Sequence, residues 1–253
     1  MTGQQQSTSP ETIWVPGHPG WQGQQRATTA LTVFGVVFAI VVLLFSLILF
    51  ADPAPAMKAL GIGVLAAVAV GVWLMVAHAR VSRVRVVRPV VDGPAIAFGG
   101  AAGIVWPLRA LVPVGALLLA AWAWSIFTVP ADRLPLLTLL LLPVVALIMT
   151  IAGIRSWFRA PSAHRLTLRP DGLQLRIPRN NVAVAWEEVV GAGLEGNRVV
   201  LRTVTAQPSS WAAADLASDP VLLAELVTFY ANRPDARAEI GAGTLARLRS
   251  GEF

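Results

Sequence analysis

The chain has 253 residues, 55% of them hydrophobic and only 13% charged, with a mean hydropathy of +0.65. Soluble domains carry roughly one-quarter charged residues, so this composition points to a membrane protein and excludes an ordinary soluble one. Cysteine is absent, which excludes disulfides, thiolate nucleophiles, iron–sulfur clusters and thiolate zinc sites, and 19 of the 20 basic residues behind the +6 net charge are arginine.

Residues 1–26 form a polar N-terminal tail rich in Gln, Pro and Gly, a composition that does not fold on its own. Trp14 and Trp21, with Val15 between them, stand out and are expected to dock onto the cytoplasmic sheet, to contact a partner protein or to anchor at the membrane interface. His18 alone makes no case for a metal.

Four uncharged stretches follow, residues 27–51, 59–79, 110–131 and 134–154, each bounded by charge. Each supplies the roughly 20 residues that a helix needs to cross a bilayer. The first is too long, and preceded by too many polar residues, for a cleavable signal peptide. His78 lies two residues before Arg80 and so at the interface. No span carries an acid or an arginine, which speaks against a proton- or ion-coupled transporter. Gly61, Gly63 and Gly71 permit close helix packing in the second span, and Pro143 predicts a kink in the fourth.

The connection 80–109 between spans two and three carries Arg80, Arg83, Arg85, Arg88 and Arg109 against Asp92 alone. By the positive-inside rule this loop is cytoplasmic, as are both termini, in the inner (plasma) membrane. Trp122 and Trp124 then fall at the outer interface. Arg80, Arg83, Arg85 and Arg88 are candidate contacts for anionic lipid. Residues 1–154 hold 8 basic and 4 acidic groups and residues 155–253 hold 12 and 10, so the basic excess lies mostly beside the membrane. Nucleic acid is not an expected partner.

The remainder, residues 155–232, changes character. HRLTLR and LQLRI around Pro170-Asp171-Gly172 predict a hairpin, and residues 182–186 and 197–204 predict two more strands. Ser218-Asp219-Pro220 caps a helix with Leu222, Leu223, Leu226, Val227 and Tyr230 on its apolar face. Residues 233–253 predict one or two short helical turns. Gly191, Gly193 and Gly196 spell G-x-G-x-x-G, but a strand follows where a dinucleotide site needs a helix, so a glycine-rich hairpin is expected instead. Glu187 and Glu188, adjacent in a strand, would point to opposite faces, which denies them a shared acid–base site.

HRLTLRPDGLQLRIPRNNVAVAWEEVVGA, with Asp-Gly at the turn and a Trp followed by acids, resembles the bacterial pleckstrin-homology-like domains of actinobacterial membrane proteins, as does LASDPVLLAELVTFYANRPDARAEIG. The resemblance covers about residues 160–241. It implies a small barrel-like sheet of seven strands closed by a helix at the cytoplasmic membrane surface. The tail shows four strands, and the loop offers three more at 84–91, 95–98 and 104–106, the alternative being a glycine-rich loop that is coil or partly re-entrant. Asp92-Gly93 through Trp106 also aligns with Asp171-Gly172 through Trp186, a weak internal duplication.

The expectation is an α-helical integral membrane protein with four transmembrane helices and a β-rich pleckstrin-homology-like domain ending in a helix. It is expected to be non-enzymatic and without cofactors, an accessory or assembly subunit of cell-envelope machinery, including lipid-transport systems, with other membrane-complex subunits and the lipid bilayer as partners. The alternative is a lipid binder or sensor using the basic strip. A small transporter or envelope enzyme is disfavoured.

Overall fold

The computed structural model describes residues 11–81, 84–130, 134, 136–158, 164–177, 180–204 and 209–253, without the side chains of 23–28, 31, 81, 137 and 180. The chain divides into a helical unit, residues 27–80 and 103–159, and a β unit drawn from residues 1–26, 81–102 and 160–253.

The helical unit has four helices: α1 (Gln22–Ala51), α2 (Pro55–Val81), α3 (Ala102–Thr128) and α4 (Leu136–Trp157). Each contains a window long and apolar enough to cross a membrane: Thr32–Ala51, Pro55–Arg80, Ala102–Thr128 and Thr138–Trp157. Phe34, Phe38, Ile48 and Leu140 are all more than half exposed, so the apolar surface faces outward as well as inward. Asp52 accepts from the Ala54 backbone N–H at 2.8 Å just before α2, whose first residue is Pro55. The second helix therefore starts four residues earlier than residue 59.

The start of α3 corrects the sequence reading more strongly. The helix begins at Ala102, eight residues before residue 110, and the strand expected at 104–106 is its first turn and a half. The physical reason is Arg109, which does not end the apolar run. Its guanidinium lies 5.5 Å from the Trp106 ring and 5.2 Å from that of Trp157, so aromatic faces on two helices accommodate the charge.

Packing within this unit relies on glycine. A Cβ on Gly115 would lie 2.8 Å from the Ala146 carbonyl oxygen, and one on Gly153 would lie 2.8 Å from the Val112 nitrogen. Partners fall in number along α4 as they rise along α3, the mark of an antiparallel pair with backbones in near contact. In α2, Gly63 meets Leu118 and Gly61 meets Phe50, but Gly71 meets nothing and has no packing role.

Among the described residues the β unit contains ten strands. In the helix-to-helix loop and before it lie β1 (Ile13–Trp14), β2 (Val86–Val87), β3 (Pro89–Asp92) and β4 (Ala95–Gly99). After α4 come β5 (Arg165–Arg169), β6 (Gly172–Ile177), β7 (Asn180–Ala185), β8 (Val189–Glu195), β9 (Arg198–Thr203) and β10 (Ser209–Ala212). An antiparallel five-stranded sheet runs in the order β3-β4-β5-β6-β7, a second sheet runs β10-β9-β8, and β1 pairs with β2. The join between loop and tail is β4 against β5, with Ile96 opposite Leu168 and Phe98 opposite Leu166. Those four side chains are at most 1% exposed, so the same pairs that set the register also form the core.

Helix α5 (Pro220–Asn232) closes the core with Leu222, Leu223, Leu226, Val227 and Tyr230, all buried. A 3-10 turn (Pro234–Glu239) and α6 (Ala242–Ser250) follow, and Ile240 and Leu248 join the same core. Residues 233–253 thus belong to the β unit.

Two details correct the reading of the tail, and a third, the glycine-rich hairpin, agrees with it. Strands β8 and β10 are additions, hidden in sequence by two glycines in β8 and by Ser-Ser in β10, which have weak strand preference. Gly191 sits at φ +154° where the β8–β9 register shifts, and Gly196 at φ +60° opens the two-residue turn into β9, so the glycine motif lies in a hairpin. Glu187 and Glu188 stand in a 3-10 turn (Trp186–Glu188), not a strand, where burial of Trp186 turns Glu187 toward Arg237 at 2.9 Å. The proposed duplication also loses its anchor: Trp106 is in α3 and 65% exposed, whereas Trp186 is 1% exposed in the β core.

Candidate functional site

The most constrained point of the β unit is Asp219, which is 3% exposed. One carboxylate oxygen caps α5 by accepting from the Val221 N–H at 2.9 Å. The other accepts from the backbone N–H groups of Trp21 at 3.0 Å and Arg85 at 2.8 Å. The Asp219 N–H donates to the Val86 carbonyl at 2.8 Å, and Ser218 Oγ accepts from the Arg88 N–H at 2.9 Å. One capping dipeptide therefore ties the N-terminal segment, the inter-helix loop and the tail together. Gly20 at φ +63° makes the approach possible, because a Cβ there would lie 2.8 Å from the carboxylate.

This knot redirects the residues singled out from sequence. Arg85 uses its backbone, at φ 63°, to reach Asp219, while its carbonyl accepts from Val15 at 2.9 Å. Arg88 donates from its guanidinium to the Ala217 carbonyl at 2.7 Å. Arg80 belongs to the helical unit, and Arg83 lies outside the described residues.

The two tryptophans are likewise redistributed. Ile13 and Val15 dock into the β core at 5% and 0% exposure, which leaves Trp14 pointing outward at 57%. Strand alternation is the cause, since β1 must bury its odd-numbered residues to cover Val87. Trp21 is half-buried and engaged through its backbone. His18 is tied to the chain's other end: its Nδ1 is 2.6 Å from Glu225, its Nε2 is 3.1 Å from the Gly251 carbonyl oxygen, and its ring stacks on Phe253 at 4.4 Å.

Two features escaped the sequence reading. In the helical unit a cavity of about 440 Å³ is walled by apolar side chains of all four helices, Phe38, Val64, Leu118 and Met149 among them. In the β unit the outward face of the five-stranded sheet carries Arg165, Arg169 and Arg176 around a hollow of about 470 Å³. The alternation in HRLTLR signals that Arg165 and Arg169 share a face. The tight hairpin turn is what brings Arg176 beside Arg165. No group of three or more His, Asp or Glu side chains among the described residues is arranged to hold a metal ion.

Four apolar helices of membrane-crossing length and a separate β-rich unit closed by a helix define the class of this protein. The chain matches no family model, no curated protein and no solved structure.

Proposed function

We propose that this is a non-enzymatic, multi-pass membrane protein whose β unit is a pleckstrin-homology-like platform on the cytoplasmic side, serving as an accessory or assembly subunit of cell-envelope machinery such as a lipid-transport system. The observation that carries this reading is the interleaving of the two units. The β unit takes strands from before α1, from between α2 and α3, and from after α4, so a single folded body is joined to the helices at several points of the chain. Such a body is held at the membrane surface once the helices insert, and it offers surface without needing to move. Two antiparallel sheets and a terminal helix that share one core support the pleckstrin-homology-like plan. Trp14, 57% exposed beside the buried Ile13 and Val15, supplies an aromatic anchor of the kind that interfaces favour.

Reporter fusions test the placement: one after Phe253 is expected to be active only in the cytoplasm and one near Pro55 only outside. Affinity purification from native membranes in mild detergent, with mass spectrometry, tests the role. Stoichiometric partner subunits are expected, and loss of them in Trp14→Ala locates the contact. Co-purification of lipid alone would favour a lipid binder or sensor instead.

A further inference from the structure

The outward face of the five-stranded sheet has a feature that core packing does not explain. Alternation sends Leu166, Leu168, Leu173 and Leu175 inward, and so sends Arg165, Thr167, Arg169, Gln174 and Arg176 outward. Beside them β4 presents only Ala95, Ala97 and Gly99, because its large residues Ile96 and Phe98 face the core. Long arginines next to a row of small residues leave the hollow of about 470 Å³.

Charge along this hollow is polarised. Arg165 stands directly opposite Arg176 on one side and opposite Gly99 on the other. Like charges opposed across strands destabilise a sheet. Among the described residues neither guanidinium has an ion-pair partner. The two carboxylates of the hollow, Asp92 and Asp171, stand at its other end, where both hairpins turn, together with Arg169. Four residues of strand, about 13 Å, separate the two ends. An anion entering the hollow is therefore repelled at the turn end and attracted at the Arg165–Arg176 end.

We propose that the Arg165–Arg176 end of this hollow binds a phosphate group, with both guanidiniums and the Thr167 hydroxyl donating. Two guanidinium forks and a hydroxyl offer more donors than the two oxygens of a carboxylate accept, and they suit the three or four oxygens of a phosphate. The site rests on strand register and not on the platform reading. Only Gly100 and Ala101 separate this end of β4 from α3. If α3 spans a bilayer, a lipid headgroup is the phosphate at the highest local concentration. A soluble phosphate ester offers the same chemistry.

The test uses the full chain in a nonionic detergent, with inorganic phosphate and short-chain, soluble phosphatidic acid as probes, at matched ionic strength. Binding is read by calorimetry and by the thermal midpoint. Arg165→Gln and Arg176→Gln are each expected to weaken binding about tenfold, and the double variant to abolish it. Arg202→Gln, which removes an exposed arginine paired with Glu195, is expected to bind as the parent does. Without ligand, Arg176→Gln is expected to melt higher than the parent, because the opposed charges are relieved. Protection by both probes supports a site for phosphate itself, and protection by phosphatidic acid alone supports a lipid headgroup. Binding of neither probe, binding unaffected in the double variant, or equal loss in Arg202→Gln overturns the proposal.

Discussion

A carboxylate at 3% exposure needs donors, and Asp219 finds three backbone N–H groups, one in the helix it caps and two contributed by distant segments of chain. Charge-assisted bonds of this type are the stronger ones, at roughly 1.5–3 kcal/mol each. Asp219→Asn keeps one acceptor oxygen but turns an NH₂ toward N–H donors. It is expected to lose about 3 kcal/mol in denaturant unfolding and to expose the segment before Trp21 to protease. Tyr230, the single tyrosine, bonds Thr244 Oγ at 2.8 Å. Burial pushes its pKa above the ordinary 10.0, against the opposing pull of the Thr244 bond and of Arg247. The folded β unit thus holds the phenolic proton more tightly than the unfolded chain. Stability is expected to be level below about pH 10 and to fall as pH rises through the raised value. Tyr230→Phe should remove that slope and cost about 1 kcal/mol at neutral pH, read from alkaline unfolding curves beside tyrosinate absorbance.

At the scale of elements, α5 shows local and tertiary signals in agreement. Asp219 caps it, Pro220 opens it, and Leu222, Leu223, Leu226, Val227 and Tyr230 recur at helical spacing on the buried face. Leu226 is 0% exposed, so Leu226→Asp places an unpaired charge in the core. A loss of about 4 kcal/mol or more is expected, comparable with the whole stability of a small domain, and should appear as protease sensitivity of the tail. Strand β1 is the opposite case, only two residues long and stable through what it covers. Val15→Ala is expected to cost about 2 kcal/mol in thermal unfolding, while Trp14→Ala stays within about 0.5 kcal/mol of the parent. Equal effects would mean that the N-terminal segment does not dock in this register.

For the whole molecule, the consequential fact is that β4, from between two membrane-length helices, is the neighbour of β5, which follows the last of them. A tail of residues 160–253 expressed alone lacks β1 to β4, leaves β5 as an open edge and loses Ile96 and Phe98 from its core. It is expected to aggregate or to stay molten. Joining residues 81–102 to it through a flexible linker should yield a dispersed amide spectrum. A sharp spectrum from the tail alone, unaltered by the added loop, would show that the strands of the loop are dispensable.

The sequence by itself determined those features whose signal is local. Uncharged runs of membrane length mark four helices, Pro-Asp-Gly between alternating segments marks the β5–β6 hairpin, and Ser-Asp-Pro marks the start of α5, because hydrophobic period, turn geometry and capping act over a few residues. Tertiary structure decided what depends on partners far along the chain. The Trp106 and Trp157 rings let α3 run past Arg109, a close partner in β9 makes a strand of glycine-rich β8, and the free edge of β2 selects Ile13 and Val15 over the more conspicuous tryptophans. The opposition of Arg165 and Arg176 lies between these limits. The hairpin alone implies the pair, but only the pairing of β5 with β4 lays the small residues Ala95 and Ala97 along the same sheet face and opens the hollow.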